Sequence, residues 1–141
     1  MPKPMPPAGY SGTPLWKKLG YKDRTIAFIP GAPSGYVALL ALPSDIAVKW
    51  LKGPVKGMAF VHVFSSSASL LRTSLRTFRR TIAPSGVVWV SWPKKSSGVP
   101  TDITEDVIRD VALPMGLVDI KVCAVDEVWS GLKLMIRKEL R

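Results

Sequence analysis

Apolar residues fall along this chain in short blocks whose spacing alternates between two periods. "RTIAFIPGAP" is an apolar block stopped by Pro30-Gly31 and predicts a strand over 25–29. "SGYVALLALP" reads as a helix from Ser34 to Pro43, and "DIAVKWLKG" as a second strand over 45–51. "MAFVHVF" is apolar at every position but one, which predicts a third strand over 58–64 buried on both faces. The serines at 65–67 offer an N-cap to a helix over 68–83, where Leu71, Leu75, Phe78 and Ile82 recur on one face. Arg72, Arg76, Arg79 and Arg80 recur on another. "PSG" reads as a turn, and "VVWVSW" as a fourth strand over 87–92.

The flanking segments complete the pattern. In "SGTPLWKKLGYK", Thr13 suits an N-cap, Pro14 the first helical position and Gly20 the residue after the last turn. A short helix over 14–19 follows, with Leu15, Trp16 and Leu19 on its apolar side. Beyond strand four, Asp102 and Glu105 read as a capping box opening a helix to about Leu113, with Ile103, Val107 and Val111 inward. Two alternating segments, 117–125 and 131–138, predict a hairpin turning over 126–131. Strands alternating with helices, then a closing hairpin, predict an α/β fold: a three-layer open sheet, mostly parallel with an antiparallel C-terminal hairpin. This order resembles a truncated class I methyltransferase sheet, Rossmann-like, and implies the strand order 2-1-3-4-6-5.

With 141 residues the chain suffices for one domain, expected over 13–141 after a flexible Pro-rich lead-in at 1–12. A domain of this size buries about 68–70% of its unfolded surface, so it needs no staple. The lead-in has no apolar core, so no secretory signal is expected, and no apolar run approaches membrane-spanning length. The single Cys123 excludes an internal disulfide and fits a cytoplasmic setting. Charge changes the picture more: 20 Lys and Arg against 10 Asp and Glu give a net +10, a field that attracts polyanions.

Ligands of open α/β sheets bind outside the carboxyl ends of the strands. Three loops occupy those ends: "PGAPSGY", "SSSAS" and "WPKKSSG". Their candidate binding residues are Gly31, Ser34, Gly35, Ser65, Ser66, Lys94, Lys95, Ser96, Ser97 and Gly98, where helix N-termini and lysines would favour an anion. None of the loops matches a dinucleotide or P-loop fingerprint. A methyltransferase would present an acidic-Gly-x-Gly-x-Gly run after strand one and an acid closing strand two for the ribose. This chain has Pro30-Gly31-Ala32-Pro33 and Trp50-Leu51-Lys52 there. No cofactor is therefore expected, and methyl transfer is disfavoured.

His62, the only histidine, lies mid-strand, where a hydrogen-bonded core role outweighs general base. One His and one Cys exclude a histidine or thiolate metal cage, and no G-x-S-x-G elbow exists. Arg72, Arg76, Arg79 and Arg80 form a candidate polyanion surface, with a solvated helix face as the plainer reading. The expected partners are an anionic small molecule or nucleic acid.

Three segments, "YSGTPLWKKLG" (10–20), "WVSWPKKSSGVPTDITEDVIRDVALPMGLVD" (89–119) and "KVCAVDEVWSGLKLMIRK" (121–138), resemble a family of small bacterial proteins known as domain of unknown function 3052. The resemblance implies a bacterial, cytoplasmic, single-domain protein. The family's name carries no activity, so it assigns no functional residues.

Overall fold

The computed structural model describes residues 12–141; the lead-in expected over 1–12 lies, up to residue 11, outside the described residues. Among the described residues six strands form one sheet in the spatial order 2-1-3-4-6-5, as the sequence pattern predicts. They are β1 (Thr25–Phe28), β2 (Val48–Trp50), β3 (Met58–Phe64), β4 (Ile82–Pro93), β5 (Leu117–Ala124) and β6 (Trp129–Ile136). β2, β1, β3 and β4 run parallel, and β6 pairs antiparallel with both β4 and β5.

Helices cover both faces. α3 (Ala68–Thr81) and α4 (Glu105–Ala112) bury Leu71, Leu75, Phe78, Ile108 and Val111 against one face of the sheet. α1 (Leu15–Leu19) and α2 (Tyr36–Leu40) bury Leu15, Leu19, Tyr36 and Leu40 on the other, around Phe60 and Trp89. Trp89 is wholly buried and its indole N–H donates to the Leu19 carbonyl at 2.8 Å, fastening α1 to the sheet. β3 separates the two cores, which is why its sequence is apolar on both sides. Among the described residues no helix is long and apolar enough to cross a membrane.

The differences from the expected boundaries have physical causes. Pro14 is extended and stands at the cap of α1, and the Thr13 side chain makes no cap bond there. α2 spans less than the run 34–43 because Ala41 adopts a left-handed backbone at φ 55°. β2 keeps only three residues of the run 45–51, the part that pairs with β1. "PSG" is no turn: α3 passes straight into β4, and residues 83–86 bulge between the Met58–Ile82 and Phe60–Val87 pairs. The hairpin turns over 125–128, where the Asp126 carboxylate accepts from the Val128 and Trp129 N–H groups. In α4 the buried positions are Ile108, Val111 and Ala112, while Val107 is half-buried.

Candidate ligand site at the carboxyl rim

The parallel strands bring their carboxyl ends to one rim, and backbone hydrogen bonds knit the three loops there. The Phe64 N–H donates to Pro30 O at 3.0 Å, Ser65 N–H to Ser91 O at 3.0 Å and Lys94 N–H to Val128 O at 2.7 Å. Gly31 turns with φ 76°, and a Cβ built on it would stand 2.6 Å from the Phe64 carbonyl oxygen. Only glycine allows this approach.

The loop after β4 is a well-fastened connector. Lys95–Ser97 makes one 3-10 turn, closed by Gly98 at φ 75°. The Ser97 hydroxyl donates to Lys94 O at 2.6 Å and accepts from Val99 N–H at 3.2 Å. Further on, Thr101 donates to Ser66 O at 2.8 Å. Asp102 accepts from the Ala68 N–H at 2.8 Å, so the chain supplies its own anion at the start of α3. Thr104, not the Asp102–Glu105 pair, caps α4, accepting from Val107 N–H at 3.2 Å. Glu105 instead pairs with Arg109 at 3.0 Å, which also holds Asp106 and Asp119.

These bonds occupy part of the rim beside Ser65 and Ser66. Three amides leading into α3 are already bonded: Ser67 N–H donates to the Ser65 hydroxyl, Ala68 N–H to Asp102 and Leu70 N–H to the Ser67 hydroxyl. Substituting Asp102 with alanine is expected to cost about 1 kcal/mol, the usual worth of a cap, with asparagine restoring most of it. Urea denaturation of the two variants checks this.

Space remains on the α4 side of the rim. A cleft of about 510 Å³ has Trp92, Pro93, Val99 and Ile103 among its apolar walls and Lys95 and Thr101 among its polar ones. Lys95 and Gly98 are the predicted site residues that line it; Gly31, Ser34, Gly35, Ser65, Ser66, Lys94, Ser96 and Ser97 do not. The apolar walls escaped the sequence reading because their blocks read as core or turn. Lys95 is exposed and Lys94 half-buried.

Beneath the rim, on the α1–α2 side, runs a buried polar chain. The Tyr21 and Tyr36 hydroxyls share a 2.7 Å hydrogen bond, Tyr36 meets His62 Nδ1 at 2.7 Å, and His62 Nε2 meets the Ser91 hydroxyl at 2.7 Å. His62 is wholly buried, stacked on Phe64 with ring centroids 4.3 Å apart. Burial pulls its pKa down to about 3 and pushes the phenols of both tyrosines well above their usual range. With both ring nitrogens engaged and no exposed surface, the imidazole is packed as a neutral core side chain. Among the described residues no three His, Cys, Asp or Glu side chains gather as metal ligands.

The sheet order and its covering helices match proteins of known structure. A SAM-dependent methyltransferase from Aquifex aeolicus superposes with a TM-score of 0.64 at 14% identity, over 85% of this chain and 86% of that one. An O-methyltransferase of neocarzinostatin biosynthesis, solved with S-adenosylmethionine and a naphthoic acid, gives 0.63 at 15% identity over 92% of this chain, which spans 51% of its length. Aeropyrum pernix fibrillarin, with natively bound S-adenosylmethionine, gives 0.54 at 14% identity, over 83% of this chain and 68% of that one. This is the fold of the SAM-dependent methyltransferases. No protein-family model matches the chain, and no curated protein matches it in sequence.

The rim departs from what that cofactor asks of the fold. "PGAPSG" keeps glycines at 31 and 35, but Pro33 stands between them and Ile29-Pro30 precede them. β2 closes on Trp50-Leu51-Lys52, and neither apolar side chains nor an ammonium can accept from ribose hydroxyls. No carboxylate occurs in 29–36, 50–53, 64–68 or 92–98, and the two that reach the rim from elsewhere, Asp102 and Glu105, are engaged by the Ala68 N–H and by Arg109. The residues present do not fit S-adenosylmethionine.

Proposed function

We propose that the chain is a non-catalytic binding module on the methyltransferase fold, taking an anionic small molecule at the carboxyl rim. The observation that carries this reading is that apolar and basic residues follow β1 and β2 at the rim, with a cleft beside Lys95. Lys95 would meet the anionic group, while Trp92, Pro93 and Val99 would cover an apolar portion of the ligand. Glu105 stands in the wall, but Arg109 holds it at 3.0 Å and offsets its charge. Kinship with domain of unknown function 3052, and with it a bacterial, cytoplasmic setting, belongs to the same proposal and rests on the segments 10–20, 89–119 and 121–138.

A thermal-shift screen of nucleotides, sugar phosphates and S-adenosylmethionine tests the reading. A ligand at about 100 times its dissociation constant stabilises by about 2.7 kcal/mol. Stabilisation by a phosphate compound that disappears in Lys95→Gln is the expected result. The second reading, a divergent SAM-dependent methyltransferase, is favoured by the fold of the structural neighbours. Stabilisation by S-adenosylmethionine, with none by phosphates, would replace the first reading with the second.

A further inference from the structure

From Ile46 to Thr101 the chain carries no Asp or Glu, yet it carries Lys49, Lys52, Lys56, the four arginines of α3 and the Lys94–Lys95 pair. The acids collect elsewhere, many of them around α4. The two long helices of one face therefore differ in kind. On α4, Arg109 is tied to Glu105 and Asp106 within the helix and to Asp119 beside it, the mixed-sign surface of an ordinary solvated helix. α3 holds no acid at all. Its exposed positions include Arg72, Arg76 and Arg80, beside a row of hydroxyls at Ser69, Thr73 and Thr77. Among the described residues, no ion pair involves α3.

Three of the four predicted arginines make the surface. Arg79 turns away, its Nε–H donating to the Met115 carbonyl at 2.8 Å, half-buried against the segment after α4. Arg72, Arg76 and Arg80 are spaced four apart, a ladder of about 12 Å along the axis. Like charges at this spacing repel in the free protein, so an anionic partner is stabilised twice, by attraction and by relief.

Neighbouring elements extend the ladder. The loop from β2 wraps the end of α3, where Lys56 Nζ donates to Arg80 O at 3.1 Å. In β2, Val48 and Trp50 pack into the core on the α1–α2 side, so Lys49 between them points to the α3 side of the sheet. The amino-end hollow of about 530 Å³ beside this loop adds Lys22 and Arg24 at its rim. It also holds Asp23, whose carboxylate is engaged by the Ala47 N–H at 2.8 Å.

We infer that the outer face of α3, with Lys49 and Lys56, is a docking surface for the phosphate backbone of a nucleic-acid duplex. A duplex fits better than a single strand, because among the described residues no Phe, Tyr or Trp is exposed to stack on bases. It fits better than a membrane, because α3 spends Leu71, Leu75 and Phe78 on the core and leaves Leu70 as its exposed apolar side chain. Contact is through backbone phosphates, so binding is independent of sequence and steeply dependent on salt. The inference is independent of the rim: neither cleft residue nor loop takes part.

Fluorescence anisotropy with labelled DNA and RNA duplexes of about 20 base pairs tests it. Three to five phosphate contacts give log-log salt slopes of about −3 to −4.5, a loss of about 60- to 500-fold between about 50 and about 200 mM salt. The triple variant Arg72→Gln, Arg76→Gln, Arg80→Gln should bind at least about tenfold more weakly at the lower salt, with its slope reduced by about 2.7. It should melt no lower than wild type, since it removes repulsion. Lys17→Gln, Lys121→Gln, Lys138→Gln, with the same charge loss elsewhere, should keep the wild-type slope. The inference is overturned by no duplex binding at the lower salt, by an α3 variant that binds like wild type, or by tighter binding to anionic phospholipid vesicles than to duplex.

Discussion

Between pH 7 and pH 5 the protein is expected to lose about 2 kcal/mol of stability, and a His62→Gln variant to lose almost none of that. His62 is the only histidine, so few other groups change charge in that window, which lies above the carboxylate range. In the folded chain its pKa lies near 3, against an ordinary 6.5, because burial opposes the imidazolium. The unfolded chain therefore takes up a proton as pH falls through 6.5, while the folded chain does not. Its contribution is intact above 6.5 and is lost progressively as pH falls toward 3. By pH 3.5 the loss from this one group reaches roughly 4 kcal/mol. His62→Gln loses at least one of two buried hydrogen bonds and should start about 1–3 kcal/mol less stable at pH 7. The test is the slope of stability with pH, read from urea midpoints, not its absolute level. A flat wild-type profile, or an imidazole whose NMR shifts titrate near pH 6 in the folded protein, would contradict this account.

The same histidine shows where sequence stops. Its burial follows from its place in an apolar run flanked by aromatics. Its partners do not, because Tyr21, Tyr36 and Ser91 come from a loop, a helix start and another strand, and only the folded sheet makes them neighbours. The strand order was legible because period, length and right-handed crossovers leave few arrangements for this succession of elements. Caps were legible where the capping atom is local, as at Ser67 on α3. They were misread where it is not: Asp102 has the spacing of a local cap for α4 and instead reaches Ala68, 34 residues away. Arg79 is the parallel case. Helical spacing groups it with Arg72, Arg76 and Arg80, and only the carbonyl of Met115, brought in by the segment after α4, separates it from them.

Those two misreadings bear on the two faces differently. Asp102 brings a carboxylate to the start of α3, and a helix start bonded in this way offers less to a phosphate. Arg79 subtracts one cation from α3 but fixes the helix against its neighbours, which holds the remaining three in register. The ligand site proposed at the rim and the polyanion face inferred on α3 thus draw on separate residues, so variants of one are expected to leave the other intact.

Gly31→Ala is expected to destabilise the protein by about 2–4 kcal/mol, whereas Gly98→Ala should cost only about 1–2. The two glycines have nearly the same backbone, φ 76° and 75°, so the conformational cost of an L side chain is matched. They differ in surroundings. A Cβ on Gly98 meets nothing within 4 Å, while one on Gly31 stands 2.6 Å from the Phe64 carbonyl oxygen. That oxygen belongs to the strand end whose N–H holds Pro30 O, so neither side can yield without opening the junction between β1 and β3. The difference between the variants therefore measures the packing of the first loop on the sheet. Chemical denaturation reads it directly. Equal losses would mean that the loop relaxes away from Phe64 at little cost. In that event the loop after β1 would be free to move off the rim, and the methyltransferase-like reading of the rim would gain ground over the one proposed here.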